Sequence, residues 1–223
     1  IEKNSGIFPP RGGKLKPLEG NIIDKRYYAP ENVFSCEADD FGQGGYLVQD
    51  ALLEVAACVG FYNTNANFKK AEVFFTPPLE KKRLDRNALR NFFEDLGIGI
   101  LKKVDNAQGI EILEEEMVGE HMLFIALSIE KMSVLKSFDG KHMSSTRGCL
   151  IFQEKDKVIV LTNQEATPPS QDHQPRKHVE RLKKEIIDFQ KTFKFGAIPT
   201  SGKRYEKNRN SSPSIKIQSM PDL

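Results

Sequence analysis

Two apolar runs, Cys149-Leu150-Ile151-Phe152 and Val158-Ile159-Val160-Leu161, flank the polar dipeptide Lys155-Asp156. The pattern predicts strands over Ser145–Glu154 and Lys157–Thr162 joined as a tight hairpin. Just upstream, Met122–Ile129 is almost continuously apolar, as a central strand covered on both faces would be. A sheet of this kind needs covering layers, and the rest of the chain must supply them.

Further strands are expected at Asn32–Glu37, Tyr46–Asp50, Leu52–Tyr62, Phe68–Phe75 and Ile110–Met117, with a helix the competing reading for the Ala-rich Leu52–Gly60. The Asn-rich stretch Asn63-Thr64-Asn65-Ala66-Asn67 suits a hairpin turn, because Asn tolerates the left-handed region. Two stretches carry helical periodicity. In Arg83–Leu96 the residues Leu84, Ala88, Leu89, Phe92, Phe93 and Leu96 form one stripe, and Gly97 and Gly99 are expected to end it. In Pro175–Phe193 the stripe is Val179, Leu182, Ile186, Phe189 and Phe193. The order of elements predicts an α+β fold with a central antiparallel sheet flanked by helices, an α/β/α sandwich around one core. Residues 1–30 read as an extended lead-in, 31–196 as a single domain, and 197–223 as a disordered basic tail.

Hydrophobic residues make up 39% of the 223, and the net charge is +2, so no global field drives binding to nucleic acid or membrane. From Ala197 onward Lys203, Arg204, Lys207, Arg209 and Lys216 face only Glu206 and Asp222, a net +3, which leaves the body at −1. Such a tail, with Tyr205 its one aromatic, gives at best weak, salt-sensitive contact with an anionic surface and no specific recognition of nucleic acid. No apolar stretch approaches the ~20 residues of a transmembrane helix. The sequence opens at Ile1, so export to a bacterial periplasm or envelope, with a signal or lipid anchor upstream of Ile1, is an open expectation. Cys36, Cys58 and Cys149 make no CxxC pair; Cys58 and Cys149 are expected to be buried, inert thiols, and no disulfide pairing is chosen by the spacing.

Candidate chemistry is sparse. His121, His142, His173 and His178 form no metal-ligand spacing, and no metal or cofactor site is expected. Asp39–Gly45 is Gly-rich but matches neither a phosphate loop nor a calcium loop, and reads as a turn. Of Glu114-Glu115-Glu116 the first and third share a strand face, and a solvated strand edge is the simplest reading. The run Ser144-Ser145-Thr146-Arg147-Gly148-Cys149 offers small hydroxyls and one guanidinium, a set suited to an anion pocket near His142 and Asp139. Against it, Gly148 is expected to allow close packing against the next layer. A Ser nucleophile would need G-x-S-x-G or an adjacent base, and neither occurs, so no catalytic residue is assigned.

Several segments together resemble the PsbP-like family. They are Val59-Gly60-Phe61-Tyr62 through the Asn turn to Phe68–Phe74, Phe124-Ile125-Ala126-Leu127, Asp139-Gly140-Lys141, the Arg147–Phe152 strand with its Arg-Gly-x-x-x-Phe pattern, Val158–Thr162, and the closing helix Leu182–Phe193. The resemblance spans about residues 50 to 195 and implies a sheet sandwiched between helices in a non-catalytic module that binds another protein or assists assembly. Nothing matches the metal-binding residues of the photosynthetic members. The reading is therefore a binding module with a protein partner. The alternatives are an enzyme using a pocket near Arg147 with His142 and Asp139, beside the anion or partner pocket of Arg147, His142, Ser144 and Ser145, and a protein docking through its basic tail.

Overall fold

The computed structural model describes residues 18–38, 47–53, 56–63, 67–75, 83–103, 106–132, 135, 137 and 140–196. Along the chain these form β1 (Asn21–Ile23), β2 (Arg26–Tyr28), β3 (Phe34–Glu37), β4 (Leu47–Leu52), β5 (Ala56–Tyr62), β6 (Phe68–Phe75), α1 (Arg86–Phe93), α2 (Gly99–Lys103), β7 (Gln108–Val118), β8 (Met122–Lys131), β9 (Ser144–Glu154), β10 (Lys157–Thr167), α3 (Val179–Lys191) and β11 (Lys194–Phe195). The expected turn at Asp39–Gly45 and the expected tail at 197–223 lie outside the described residues.

Seven strands pair antiparallel in the order β4-β5-β6-β10-β9-β8-β7, and a four-stranded sheet runs β1-β2-β3-β11. Alternation along each strand separates two apolar layers. The first face of the large sheet carries Phe61, Val73, Phe124, Leu150 and Leu161 beneath Ile186 and Phe189 of α3 and beneath Tyr27 and Phe34 of the small sheet. The second face carries Leu123, Ile125, Leu127, Ile151 and Val160 beneath Leu89, Phe93 and Leu101. The fold is thus sheet-dominated α+β, as expected, but the α/β/α sandwich overstates the helices. A second sheet shares the cover of the first face, and the two apolar layers lie on opposite faces of the large sheet.

Residues 1–30 are not wholly a lead-in. Asp24 and Lys25, both at positive φ (48° and 62°), turn β1 back into β2. Tyr27 is fully buried and its hydroxyl donates to Asp50 Oδ2 at 2.8 Å. The same carboxylate accepts from the backbone N–H groups of Glu19 (2.9 Å) and Gly20 (2.7 Å). Burying an aromatic ring and satisfying a carboxylate makes this segment part of the fold.

The first helix also departs from expectation. It begins at Arg86, where Asp85 caps it by accepting from Ala88 N–H at 2.9 Å. Gly97 and Gly99 do not end it: the chain passes through a wider π turn, Glu94–Ile98, into α2. Gly97 serves packing instead, because a Cβ there would meet the Phe93 ring at 2.5 Å.

The acidic run sits on β7, an edge strand, yet it is not simply solvated. Glu115 faces α1, where Arg86 (3.0 Å) and Arg90 (2.8 Å) donate to it. Glu114 (3.0 Å) and Glu116 face α3 and pair with Lys183, whose ammonium also lies 5.6 Å from the Phe124 ring centre. One alternating run thereby ties a helix to each face of the edge strand.

Candidate functional site

Of the residues expected to line an anion pocket, three converge, but on a methionine. His142 Nδ1 lies 2.9 Å from the carbonyl oxygen of Met132. Arg147 Nη2 reaches Met132 Sδ at 3.5 Å and Ser145 Oγ reaches it at 3.9 Å. Met132 is itself buried, so its thioether fills the space a ligand would need. Ser144 lies on the opposite face of β9 and donates to the carbonyl of Glu130 at 3.1 Å. Asp139 lies outside the described residues. Among the described residues, then, His142, Ser145 and Arg147 are engaged by Met132. Gly148 does pack as expected: a Cβ there would touch Leu182 Cβ and the Phe124 ring, each at 3.2 Å.

Arg147 belongs instead to a row of side chains crossing the second face. Cross-strand register places Tyr62, Phe68, Gln164, Arg147 and Leu127 in line on β5, β6, β10, β9 and β8. Arg147 Nε donates to Gln164 Oε1 at 2.6 Å, and its guanidinium lies 5.3 Å from the centre of the Phe68 ring. That ring tilts against Tyr62 at 5.6 Å. Tyr62 in turn lies flat over Gly60, whose missing side chain makes the room: a Cβ there would sit 2.5 Å from the Tyr62 hydroxyl.

The neighbouring positions on β5 and β6 complete a polar patch. Lys70 Nζ pairs with Glu72 at 2.7 Å, and both side chains are half-buried. Burial works against the Lys70 charge, but the Glu72 carboxylate and the Tyr62 hydroxyl outweigh it and hold the ammonium above its ordinary range. Burial pushes the Tyr62 phenol up. Cys58 is half-buried here rather than buried, and burial raises its thiol. Cys149 is buried as expected, and burial pushes its thiol up to about 11. None of the three cysteines is in a disulfide.

A second polar group was not legible in the sequence. His173 Nε2 lies 3.0 Å from Ser128 Oγ on β8, and Nδ1 lies 3.1 Å from Thr167 Oγ1 on β10. The two partners are 45 and 6 residues away, so only the fold unites them. A Ser–His contact of this length is within reach for proton transfer, but the setting does not build a nucleophile. Ser128 is buried in β8, and the backbone around it is spent in the ladders to β7 and β9, so among the described residues this strand offers no pair of free N–H groups to hold an oxyanion.

Among the described residues no group of three or more His, Cys, Asp or Glu is placed to hold a metal ion. No helix among them is long and apolar enough to cross a membrane. No family model matches the chain, and no curated protein matches it. Solved structures resemble it loosely, two of them as follows. One is a point variant of the protein Mog1, with 12% identity, coverage of 78% of this chain and 96% of that one, and a TM-score of 0.49. The other is the Saccharomyces cerevisiae Ran-binding protein Mog1p, with 13% identity, the same coverage and a TM-score of 0.45. Neither likeness is close enough to carry an argument about this chain.

Proposed function

We propose that this chain is a non-catalytic protein-binding module whose contact surface is the β4–β5–β6 part of the second face. The observation that carries the reading is the half-buried set Gln49, Tyr62, Lys70 and Glu72 on a rigid sheet, at positions where strand alternation would otherwise call for core. Tyr contributes a large amphipathic area with few rotors to freeze, and a sheet face loses little backbone freedom on binding. A partner that excludes water would strengthen the Lys70–Glu72 pair or replace one member of it. The resemblance to the PsbP-like family implies the same kind of role. Two of the candidate residues are bound into the framework: Arg147 to Gln164 and Met132, and His173 to Ser128 and Thr167.

The test is capture of partners from the native cell by the whole chain and by two variants. Gln49→Arg with Lys70→Ala alters the proposed surface, and Lys184→Ala alters an exposed position on α3. Expected is a partner bound directly by the purified wild-type chain, lost at least tenfold in affinity in the first variant and kept in the second. A direct partner whose affinity the first variant leaves unchanged refutes this surface.

A further inference from the structure

The segment between β10 and α3 runs over the end of the large sheet. Among the described residues 168–175, His173 is the side chain that reaches the sheet by hydrogen bonds, whereas Gln174 bonds locally to Asp172 at 2.8 Å. The two hydroxyls it meets stand on strands that flank β9 on either side. Ser128 is paired in register with Thr146, and Thr167 with Ser144, so the ring spans β9 diagonally. Thr146 is 1% exposed, and among the described residues its Oγ1 has no hydrogen-bond partner. We infer that His173 is a pH-sensitive latch that fastens this segment across β9, and that acid releases it to uncover the hydroxyls of Ser128, Thr146 and Thr167.

The chemistry follows from the inventory of donors. A neutral imidazole offers one donor and one acceptor, and a hydroxyl fills either role, so both contacts are satisfied in either tautomer. An imidazolium has two donors and no acceptor. Both hydroxyls must then accept, and their own protons must turn away into a partly dry site. The charged groups around the ring do not compensate. Burial disfavours the charge first, and His178 at the start of α3 disfavours it next; Asp172 in the same segment and Glu130 on β8 favour it less. Glu165 on β10 is already engaged by His178 at 3.0 Å and by Arg181. On β9 the residues paired in register with Thr167 and Ser128 are Ser144 and Thr146, which carry no charge.

The folded ring therefore titrates below its ordinary value. A depressed histidine holds the closed form at full strength above about pH 6.5. The hold weakens as pH falls from there toward the depressed value, and below that it changes no further. Each unit of depression multiplies the open population by up to about tenfold.

The test uses the full chain. Amide exchange of a peptide spanning 168–178, corrected for the intrinsic rate, is compared between about pH 7.5 and about pH 5. The same measurement is made on His173→Gln and His178→Gln, and the His173 resonance is titrated by NMR. Expected is faster opening at the lower pH in the wild type and in His178→Gln, a flat profile in His173→Gln, and a His173 midpoint below about 6.5. Equal protection of the wild type at both pH values overturns the latch, as does a pH dependence that survives in His173→Gln. Should His173→Gln fail to fold, the NMR midpoint decides: a value at or above about 6.5 overturns it.

Discussion

Over β8 and β9 the second face of the large sheet is core; over β5 and β6 the same face, produced by the same alternation, is a patch of aromatic and charged groups. A single register row shows the change. It runs Ile125, Cys149, Thr162, Lys70, Gly60, Gln49, from buried hydrocarbon to half-buried charge across six strands. Cys149 Sγ and Thr162 Oγ1, 3.9 Å apart, mark the boundary. The difference follows the cover. Leu89 and Phe93 of α1 press on the β8–β9 side, and the Phe92–Phe74 contact, with ring centres 5.3 Å apart, carries that layer as far as β6. On a sheet face, then, what lies above a strand decides whether its inward residues must be apolar.

Truncation in the covered half should have the largest effect. Ile125 is fully buried on β8, between β9 and the edge strand β7. Ile125→Ala removes transfer energy and leaves a cavity that the two flanking strands cannot close, so a loss of about 2–5 kcal/mol is expected in urea unfolding. A loss no larger than that of Lys70→Ala would break the comparison, because it would mean the two halves contribute alike.

How much of this was legible follows the same division. The runs at Met122–Ile129, Cys149–Phe152 and Val158–Leu161 announced their strands because both faces are covered and, Ser128 apart, their positions are apolar. The α3 stripe was equally plain, since Val179, Leu182, Ile186 and Phe189 repeat at helical spacing and are all buried. The β1–β2 hairpin was missed because Asp24-Lys25 turns without glycine and each arm is three residues long. Gly97 misled for the opposite reason: it is there for the ring of Phe93, not for a turn. The partners of Glu115 and Lys183, and the bridge made by His173, depend on contacts between distant segments. No local pattern encodes those.

An intermediate effect is expected at Gly60. In most strand positions Gly→Ala stabilises by limiting the unfolded chain. Here the new Cβ would stand 2.5 Å from the Tyr62 hydroxyl and 2.6 Å from its ring, so the ring must lift and lose its contact with the strand. Gly60→Ala should cost about 1–2 kcal/mol, with an altered near-UV signal from Tyr62. A stabilising substitution would show that the ring is not seated on the strand, and the patch would lose its organising contact.

The smallest effect sharpens the comparison most, because it separates stability from surface. Lys70 and Glu72 are two apart on β6 and pair at 2.7 Å with both side chains partly wet. Water screens such a pair, and freezing two long side chains offsets much of the attraction. A double-mutant cycle over Lys70→Ala and Glu72→Ala should therefore return a coupling of about 0.2–1 kcal/mol, far below the loss at Ile125. A coupling of several kcal/mol would instead mark a dry pair. The β5–β6 half of the face would then be as well covered as the β8–β9 half, and a binding surface there would need its cover removed before any partner could reach it.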